Sequence, residues 1–109
     1  MRTKTEYWRS RAHLVAVASL PCMNCGREGE TQASHSNQSC HGKGRGIKAS
    51  DEYTAALCQA CHAMVDSGRL ERAEKVAIWD AAHRATLHAL RGRGMLVRPA
   101  LLGLRWWPD

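Results

Sequence analysis

Apolar residues recur at helical spacing in two parts of the chain. One pattern covers 11–20 and predicts a short helix that ends at Pro21, because the residue before a proline disfavours helical backbone. Its His13 is expected at the surface or at the edge of the core. The second pattern predicts a long amphipathic helix over about 70–90, interpreted as scaffold. Five residues at steps of three or four form its stripe: Val76, Trp79, His83, Leu87 and Leu90.

Two short segments between these helices have the residue types of strands. Thr31–His35 and residues 52–57 are separated by glycine-rich sequence, which predicts two antiparallel strands joined by a long loop. A further helix is predicted from about Cys58 or Gln59 to Gly68, a good residue for a helix C-terminus. We therefore expect an α+β fold in a single domain spanning 1–109, with its core at about 21–68. Residues 1–10 are expected to be loose unless their aromatic rings dock.

The cysteines are arranged as a metal-binding pattern. Cys22 and Cys25 form one Cys-x-x-Cys pair, and Cys58 and Cys61 form another after an intervening 32 residues. Two thiolates separated by two residues can chelate one ion, and two such pairs complete a tetrahedral set. The alternative, a redox pair, would require a strand-to-helix junction in a βαβ setting, which the sequence does not suggest. The pattern predicts a structural Zn²⁺, with Cys40 as a bystander thiol.

Charge and hydropathy narrow the class of partner. The formal net charge is +6 and the pI is about 9.4, which favours a polyanionic partner. No apolar run approaches the roughly 18 residues that span a bilayer, and the first residues lack the apolar core of a signal peptide. We expect a soluble cytoplasmic protein with no membrane partner.

The loop over 42–48 is a candidate phosphate-binding segment. Lys43, Arg45 and Lys48 give it three positive charges, and its alternating glycines let the backbone approach a ligand closely. It matches neither the P-loop order nor the Gly-x-Gly-x-x-Gly order. A solvated flexible loop is the alternative. No base-reading element is visible, so we expect weak sequence preference.

Three stretches within about 21–68 together resemble a known family. They are Ser34-His-Ser-Asn37, Gly42-Lys-Gly-Arg-Gly-Ile-Lys-Ala-Ser-Asp51, and Ala56-Leu-Cys-Gln-Ala-Cys-His62 with Asp66. This combination resembles the HNH endonucleases, or ββα-metal nucleases, and more narrowly the small phage Ref-like or YbcO-like nucleases. The resemblance implies a zinc-stapled ββα-metal core, cleavage of DNA to a 5′-phosphate and a 3′-hydroxyl, and a role in phage or prophage DNA recombination or processing within a bacterial host cell.

The resemblance also implies roles for two histidines. His35 matches the general base, a task that suits an imidazole because it titrates near neutrality. His62 matches the ligand of a catalytic divalent metal, Mg²⁺, Mn²⁺ or Zn²⁺, which would neutralise charge at the scissile phosphate. As alternatives, His35 could cap a strand or replace one cysteine as a zinc ligand, and His62 could be an exposed or supporting helix residue.

The chain departs from the family pattern at two positions. Ser34 stands where many members have a metal-binding Asp or His, so Asp66 and Asp51 are the candidate second ligands; both could equally be helix caps or solvated carboxylates. The usual asparagine position is occupied by Tyr53, and Asn37 is the candidate for its positioning role.

The C-terminal tail, 95–109, is apolar for a terminus. It is expected to pack over the core or to contact a protein partner or a second copy, and Trp106 and Trp107 could also stack on bases. The sequence as a whole favours a metal-dependent endonuclease acting on duplex or single-stranded DNA. The alternatives are a non-catalytic zinc-stapled module that binds nucleic acid and a zinc-stapled protein-interaction domain.

Overall fold

The computed structural model describes residues 8–44 and 46–95, and they form a small α+β fold, as the sequence predicts. In these two ranges, three helices surround a two-stranded sheet. The elements in chain order are α1 (Arg11–Ala18), β1 (Thr31–His35), a 3-10 turn (Ser39–His41), β2 (Thr54–Cys58), α2 (Gln59–Ser67) and α3 (Arg72–Gly92). Within the described residues, no helix has the length and apolar character needed to cross a membrane. Arg45 and most of the apolar tail lie outside the described residues.

The strands pair in antiparallel register, with Thr31 opposite Cys58 and His35 opposite Thr54. All five residues of β2 are buried, because both faces of the sheet are covered. Successive side chains of a strand point to opposite faces. Ala55 and Leu57 accordingly pack towards α2 and α3, while Ala56 packs against α1 and the end of α3.

Helix α1 is two residues shorter at its C-terminus than the predicted 11–20. Ser10 caps its N-terminus by accepting a hydrogen bond from the His13 amide. The prediction that His13 lies at the surface or the core edge is wrong, because its side chain is fully buried and meets the Trp8 ring edge-on at 5.2 Å between centroids. Burial lowers the pKa of His13, although Asp51 and Glu52 act in the opposite direction.

The turn between α2 and α3 requires glycine for a spatial reason. A Cβ on Gly68 would lie 2.5 Å from the Met64 carbonyl oxygen, and the φ of Gly68 is −69°, so close approach rather than left-handed backbone selects the residue. Helix α3 then begins at Arg72, two residues later than predicted, with a capping box between Glu71 and Glu74. This turn sets α3 beside both α2 and β2.

Helix α3 is attached to the sheet through side-chain hydrogen bonds. The Trp79 indole nitrogen donates to the Ser34 carbonyl at 3.0 Å, and the Ala56 amide donates to Thr86 Oγ1 at 2.9 Å. Trp79 also stacks on His83, with ring centroids 4.7 Å apart. Helix α3 thus bonds to both strands, to β1 through Trp79 of the predicted stripe and to β2 through Thr86, which lies outside that stripe.

Candidate functional site

The four paired cysteines converge on one point. Their sulfur atoms all lie within 4.8 Å of one another, and Cys25 Sγ and Cys58 Sγ are 3.6 Å apart. A tetrahedral zinc ion with Zn–S bonds of about 2.3 Å holds its sulfurs about 3.8 Å apart, so the arrangement fits such an ion. The cluster joins the segment after α1 to the junction between β2 and α2, and could hold a structural metal such as zinc.

Backbone amides and one side chain surround these thiols. The amides of Asn24 and Cys25 each lie 3.4 Å from Cys22 Sγ, and Asn24 Nδ2 donates to Cys61 Sγ at 3.3 Å. Burial opposes ionisation of Cys22, but the amide hydrogen bonds outweigh it and lower the pKa of Cys22 to about 6. Burial raises the pKa of Cys61 to about 12. A bound divalent ion would favour the thiolate form of all four.

His35 and a buried carboxylate form the first of two histidine–aspartate pairs. His35 Nε2 donates to Asp51 Oδ1 at 2.8 Å. Because a carboxylate only accepts, Nε2 carries the hydrogen, which leaves the lone pair of Nδ1 able to take a proton. Arg9 also reaches Asp51 Oδ1, and the Ser10 amide donates to Oδ2 at 2.8 Å.

These contacts keep Asp51 ionised. Its burial acts against the charged form, but the His35 hydrogen bond, the Ser10 amide and the Arg9 charge together lower the pKa of Asp51. Asp51 was predicted as a candidate metal ligand. In the structure both of its oxygens accept hydrogen bonds from the chain, and Oδ1 accepts the one from His35.

His62 belongs to a second, more exposed cluster. On α2, His62 Nε2 lies 3.0 Å from Asp66 Oδ2, one helical turn away, and His62 Nδ1 lies 2.7 Å from Gln32 Oε1 on β1. Asn37 Nδ2 donates to Asp66 Oδ1 at 2.8 Å. Asn37, the candidate for the positioning role of the family's asparagine, thus contacts Asp66.

The two pairs lie on different faces of the sheet but near the same end of β1. Gln32 and His35 are three residues apart, so strand alternation directs them to opposite faces. Helix α2 runs along β1 from the Gln32–His62 contact to the Asn37–Asp66 contact. Only Ser36 separates His35 from Asn37, so Asp66 and His35 flank the point where the chain leaves the strand.

Neither pair supplies a ready-made second metal cage. Among residues 8–44 and 46–95, the four cysteines are the one group of three or more His, Cys, Asp or Glu side chains close enough to share an ion. His62 and Asp66 contribute two candidate ligands, and Ser34, whose hydroxyl is buried without a hydrogen-bond partner in the described part of the chain, adds no anionic third. A catalytic ion here would need ligands from water or from the phosphate itself.

The basic loop is partly ordered by its own backbone. Gly44 and Ile47 pair as an isolated bridge, with Gly46 at a φ of +69° in the turn. The Lys43 ammonium donates to the Gly44 carbonyl at 3.1 Å, whereas Lys48 is exposed and its carbonyl accepts from Arg9. Of the three predicted phosphate contacts, Lys48 thus presents its side chain to solvent, and Arg45 lies outside the described residues.

Two sets of contacts near the site were not predicted. Segment 8–10 is tied to 48–51 through Trp8, Arg9 and Ser10, which places it beside His35. His41 stacks on Tyr53, with ring centroids 4.4 Å apart, and shares a hydrogen bond with the Ser36 hydroxyl. The docking of Trp8 could have been anticipated, because a large apolar ring tends to be buried. No sequence motif predicts the Arg9 and Ser10 contacts.

A cleft of about 390 Å³ opens between α2, α3 and the loop after β1. The sequence did not predict this cleft, because the helix that forms one of its walls was interpreted as scaffold. Its lining combines three apolar side chains, two cations, the Gln38 side chain and the Asn37–Asp66 contact. The residues concerned are Val65, Val76, Trp79, Arg72 and Lys75, with Asn37 and Asp66 shared with the His62 cluster.

Comparison with known proteins identifies a family. No curated protein and no solved structure matches the chain. A family model described as "Protein of unknown function (DUF968)" matches residues 1–88, which include the cysteine cluster and both histidine–aspartate pairs. Since the match covers most of the sequence, the chain belongs to the DUF968 family.

Proposed function

We propose that this protein is a metal-dependent HNH endonuclease that hydrolyses DNA phosphodiester bonds with low sequence specificity, in phage or prophage DNA recombination or processing. The observation that carries the proposal is the 2.8 Å hydrogen bond between His35 Nε2 and Asp51 Oδ1. The order strand, strand, helix, with His35 on β1 and His62 on α2, is the order of a ββα-metal core. The net charge of +6 suits a polyanionic substrate.

In this proposal His35 is the general base. Its Nδ1 accepts a proton from the water that attacks phosphorus, and the adjacent Asp51 carboxylate stabilises the imidazolium that forms. Arg9 and Ser10 hold Asp51 in place, so the ring orientation is set before substrate binds. The scissile phosphate would lie beside the end of β1, where His35 and Asp66 flank the chain.

His62 and Asp66 are the residues that would hold the divalent ion. When bound, the ion would neutralise charge on the phosphate and stabilise the leaving oxygen. An ion ligated by His62 Nε2 would have to displace the present contact with Asp66 Oδ2, and the 44% exposure of the Asp66 side chain leaves room for that rearrangement. Asn37 would keep the Asp66 carboxylate oriented through its other oxygen.

One observation favours a second candidate, a non-catalytic zinc-stapled module that binds nucleic acid. The cysteine cluster is the one group in the described part of the chain that could by itself hold an ion. A binding module needs only that metal and a basic surface. The two candidates differ in whether His35 is required for turnover.

The test is cleavage of supercoiled plasmid and of single-stranded DNA by the zinc-loaded protein, with and without Mg²⁺ or Mn²⁺. The wild type should nick DNA only with added metal, and His35→Ala should bind DNA with unchanged affinity and leave it intact. His88→Ala is the matched control, because His88 is exposed on α3 outside both pairs, and it should cleave as the wild type does. Binding without cleavage by the wild type in every metal would support the second candidate instead.

A further inference from the structure

The cleft between α2, α3 and the loop after β1 has the composition of a nucleotide site. We propose that it binds one unpaired nucleotide of the substrate strand, with its phosphate on Arg72 and Lys75 and its base against Val65, Val76 and Trp79. The inference rests on the proposed function, because the nuclease role makes nucleic acid the ligand. It adds a substrate class: DNA that is single-stranded or locally unpaired.

The two cations are available for a phosphate. Arg72 and Lys75 line the cleft one turn apart on α3, and neither forms an ion pair with any residue in 8–44 or 46–95. A guanidinium can bind phosphate oxygens in a bidentate manner, with an ammonium adding a point charge. The nearby Asp66 carboxylate is already bonded to Asn37 and His62, which reduces its repulsion of an anion.

The apolar residues indicate that a base, and not phosphate alone, occupies the cleft. A site for phosphate alone needs no apolar wall, whereas Val65, Val76 and Trp79 all line this one. The Trp79 ring is fixed by its bond to the Ser34 carbonyl and by stacking on His83, so the wall exists before a ligand binds. A volume of about 390 Å³ falls at the small end of the range for ligand sites and suits one nucleotide unit.

Duplex DNA cannot fill this cleft without local opening. A paired base is stacked inside the helix and must be extruded to reach an apolar pocket, which costs unstacking energy. Asn37 and Asp66 belong both to the cleft and to the His62 cluster, so a nucleotide bound here lies next to the proposed metal ligands. The cleft would therefore select strands in which the nucleotide beside the reacting phosphate is unpaired.

The test is methyl NMR of the zinc-loaded His35→Ala protein, residues 1–109, with labelled valines, since this variant is expected to leave DNA intact. The probes are oligothymidylate of about 8 nucleotides, a stable blunt-ended duplex, thymidine 5′-monophosphate and inorganic phosphate. The Val65 and Val76 methyl resonances should shift with the oligonucleotide and, at higher concentration, with the mononucleotide. Equal shifts from duplex, or shifts from inorganic phosphate as large as those from the nucleotide, would overturn the proposal.

A variant pair tests the cations. Arg72→Gln/Lys75→Gln should weaken oligonucleotide binding and reduce the salt dependence of log K by about 0.7, the value for one lost phosphate contact on a single strand. Arg84→Gln/Arg91→Gln removes the same charge from exposed positions of α3 outside the cleft, and should leave the valine shifts in place. An equal loss in both variants means that charge alone binds DNA, and the cleft proposal fails.

The two proposals fail separately. If the wild type cleaves plasmid but the valine resonances do not shift, the nucleotide-cleft proposal is wrong and the nuclease proposal is retained. If the valine resonances shift but the wild type never cleaves DNA, nucleotide binding in the cleft is retained and the catalytic role of His35 is rejected.

Discussion

The cysteine cluster and the two histidine–aspartate pairs use similar side chains in opposite ways. The cluster is closed: four sulfurs lie within 4.8 Å of one another and together could hold an ion. The pairs are open, since each joins one histidine to one aspartate and strand alternation directs His35 away from Gln32 and His62. A structural site can be complete in the free protein, whereas a site for a reacting phosphate must leave positions for the substrate to fill.

The two pairs also differ from each other. The Asp51 side chain is 5% exposed and held by donors from three residues, while the Asp66 side chain is 44% exposed. A buried, fully bonded carboxylate keeps its histidine in one orientation. An exposed carboxylate one helical turn from its histidine can change partners. This difference supports the proposal that the first pair transfers the proton and the second binds the metal.

The largest expected effect comes from opening the cysteine cluster. Chelation of zinc, or Cys58→Ser, should unfold the domain, because structural zinc sites supply on the order of 10 kcal/mol of folding free energy. Circular dichroism and the measured zinc content per chain check this. Cys40→Ser is the control, since Cys40 is an exposed thiol outside the cluster. Equal stability of the two variants would show that the cluster does not hold the fold together.

The next largest effect is expected at the buried pair. Asp51→Asn should lower the cleavage rate by about 10²–10⁴-fold, the range for loss of general base catalysis, because the amide cannot stabilise the His35 imidazolium. It should also cost roughly 1–3 kcal/mol of stability through the donors left in the buried site. Single-turnover cleavage and urea denaturation measure the two effects separately. A variant that cleaves at the wild-type rate would remove Asp51 from the mechanism.

The exposed pair should respond in metal affinity instead. Asp66→Asn should raise the Mn²⁺ concentration needed for half-maximal cleavage by about 10–100-fold, with the rate recovered at saturating metal. Its stability should change by less than about 0.5 kcal/mol, as for other exposed positions. Cleavage titrated against Mn²⁺ makes the measurement. A rate that stays low at saturating metal would show that Asp66 acts on the reaction itself, which would erase the contrast between the pairs.

The parts that the sequence predicts well are those with local causes. Two Cys-x-x-Cys pairs predict the cluster because each pair can chelate an ion by itself. Strand β1 matches the predicted segment because its residue types and the glycines that flank it are local signals. The start of α2 follows from its position directly after β2 and Cys58.

The partners of the histidines could not be predicted in the same way. Asp51 was a candidate because it ends a basic loop, but its contact with His35 depends on Arg9 and Ser10, about 40 residues away in sequence. His13 is a polar residue in an apolar helix, and such a residue is expected to face solvent. The docked Trp8 ring covers it instead. Such contacts are set by how segments pack, and no local pattern encodes them.

Acid should affect the Asp51 pair and the histidines His13 and His83 in different pH ranges. Burial lowers the pKa of His13 and of His83 below 6.5, so the unfolded state takes up protons first as pH falls. Their contribution to stability is complete above pH 6.5 and is lost below it, at up to about 1.4 kcal/mol per pH unit for each histidine. The lowered pKa of Asp51 gives a contribution present above pH 3.8 and lost as pH falls further.

Urea denaturation from pH 7.5 to pH 3, with zinc content followed in parallel, resolves these two windows. His83→Phe should flatten the decline that begins near pH 6.5, although it also loses the 3.0 Å hydrogen bond from His83 Nε2 to the Glu52 carbonyl and so starts from lower stability. Asp51→Asn should leave that decline in place and remove the one below pH 3.8. If zinc leaves the protein at the pH where stability first falls, loss of metal from the cysteine cluster, and not protonation of His13 and His83, causes the first loss of stability.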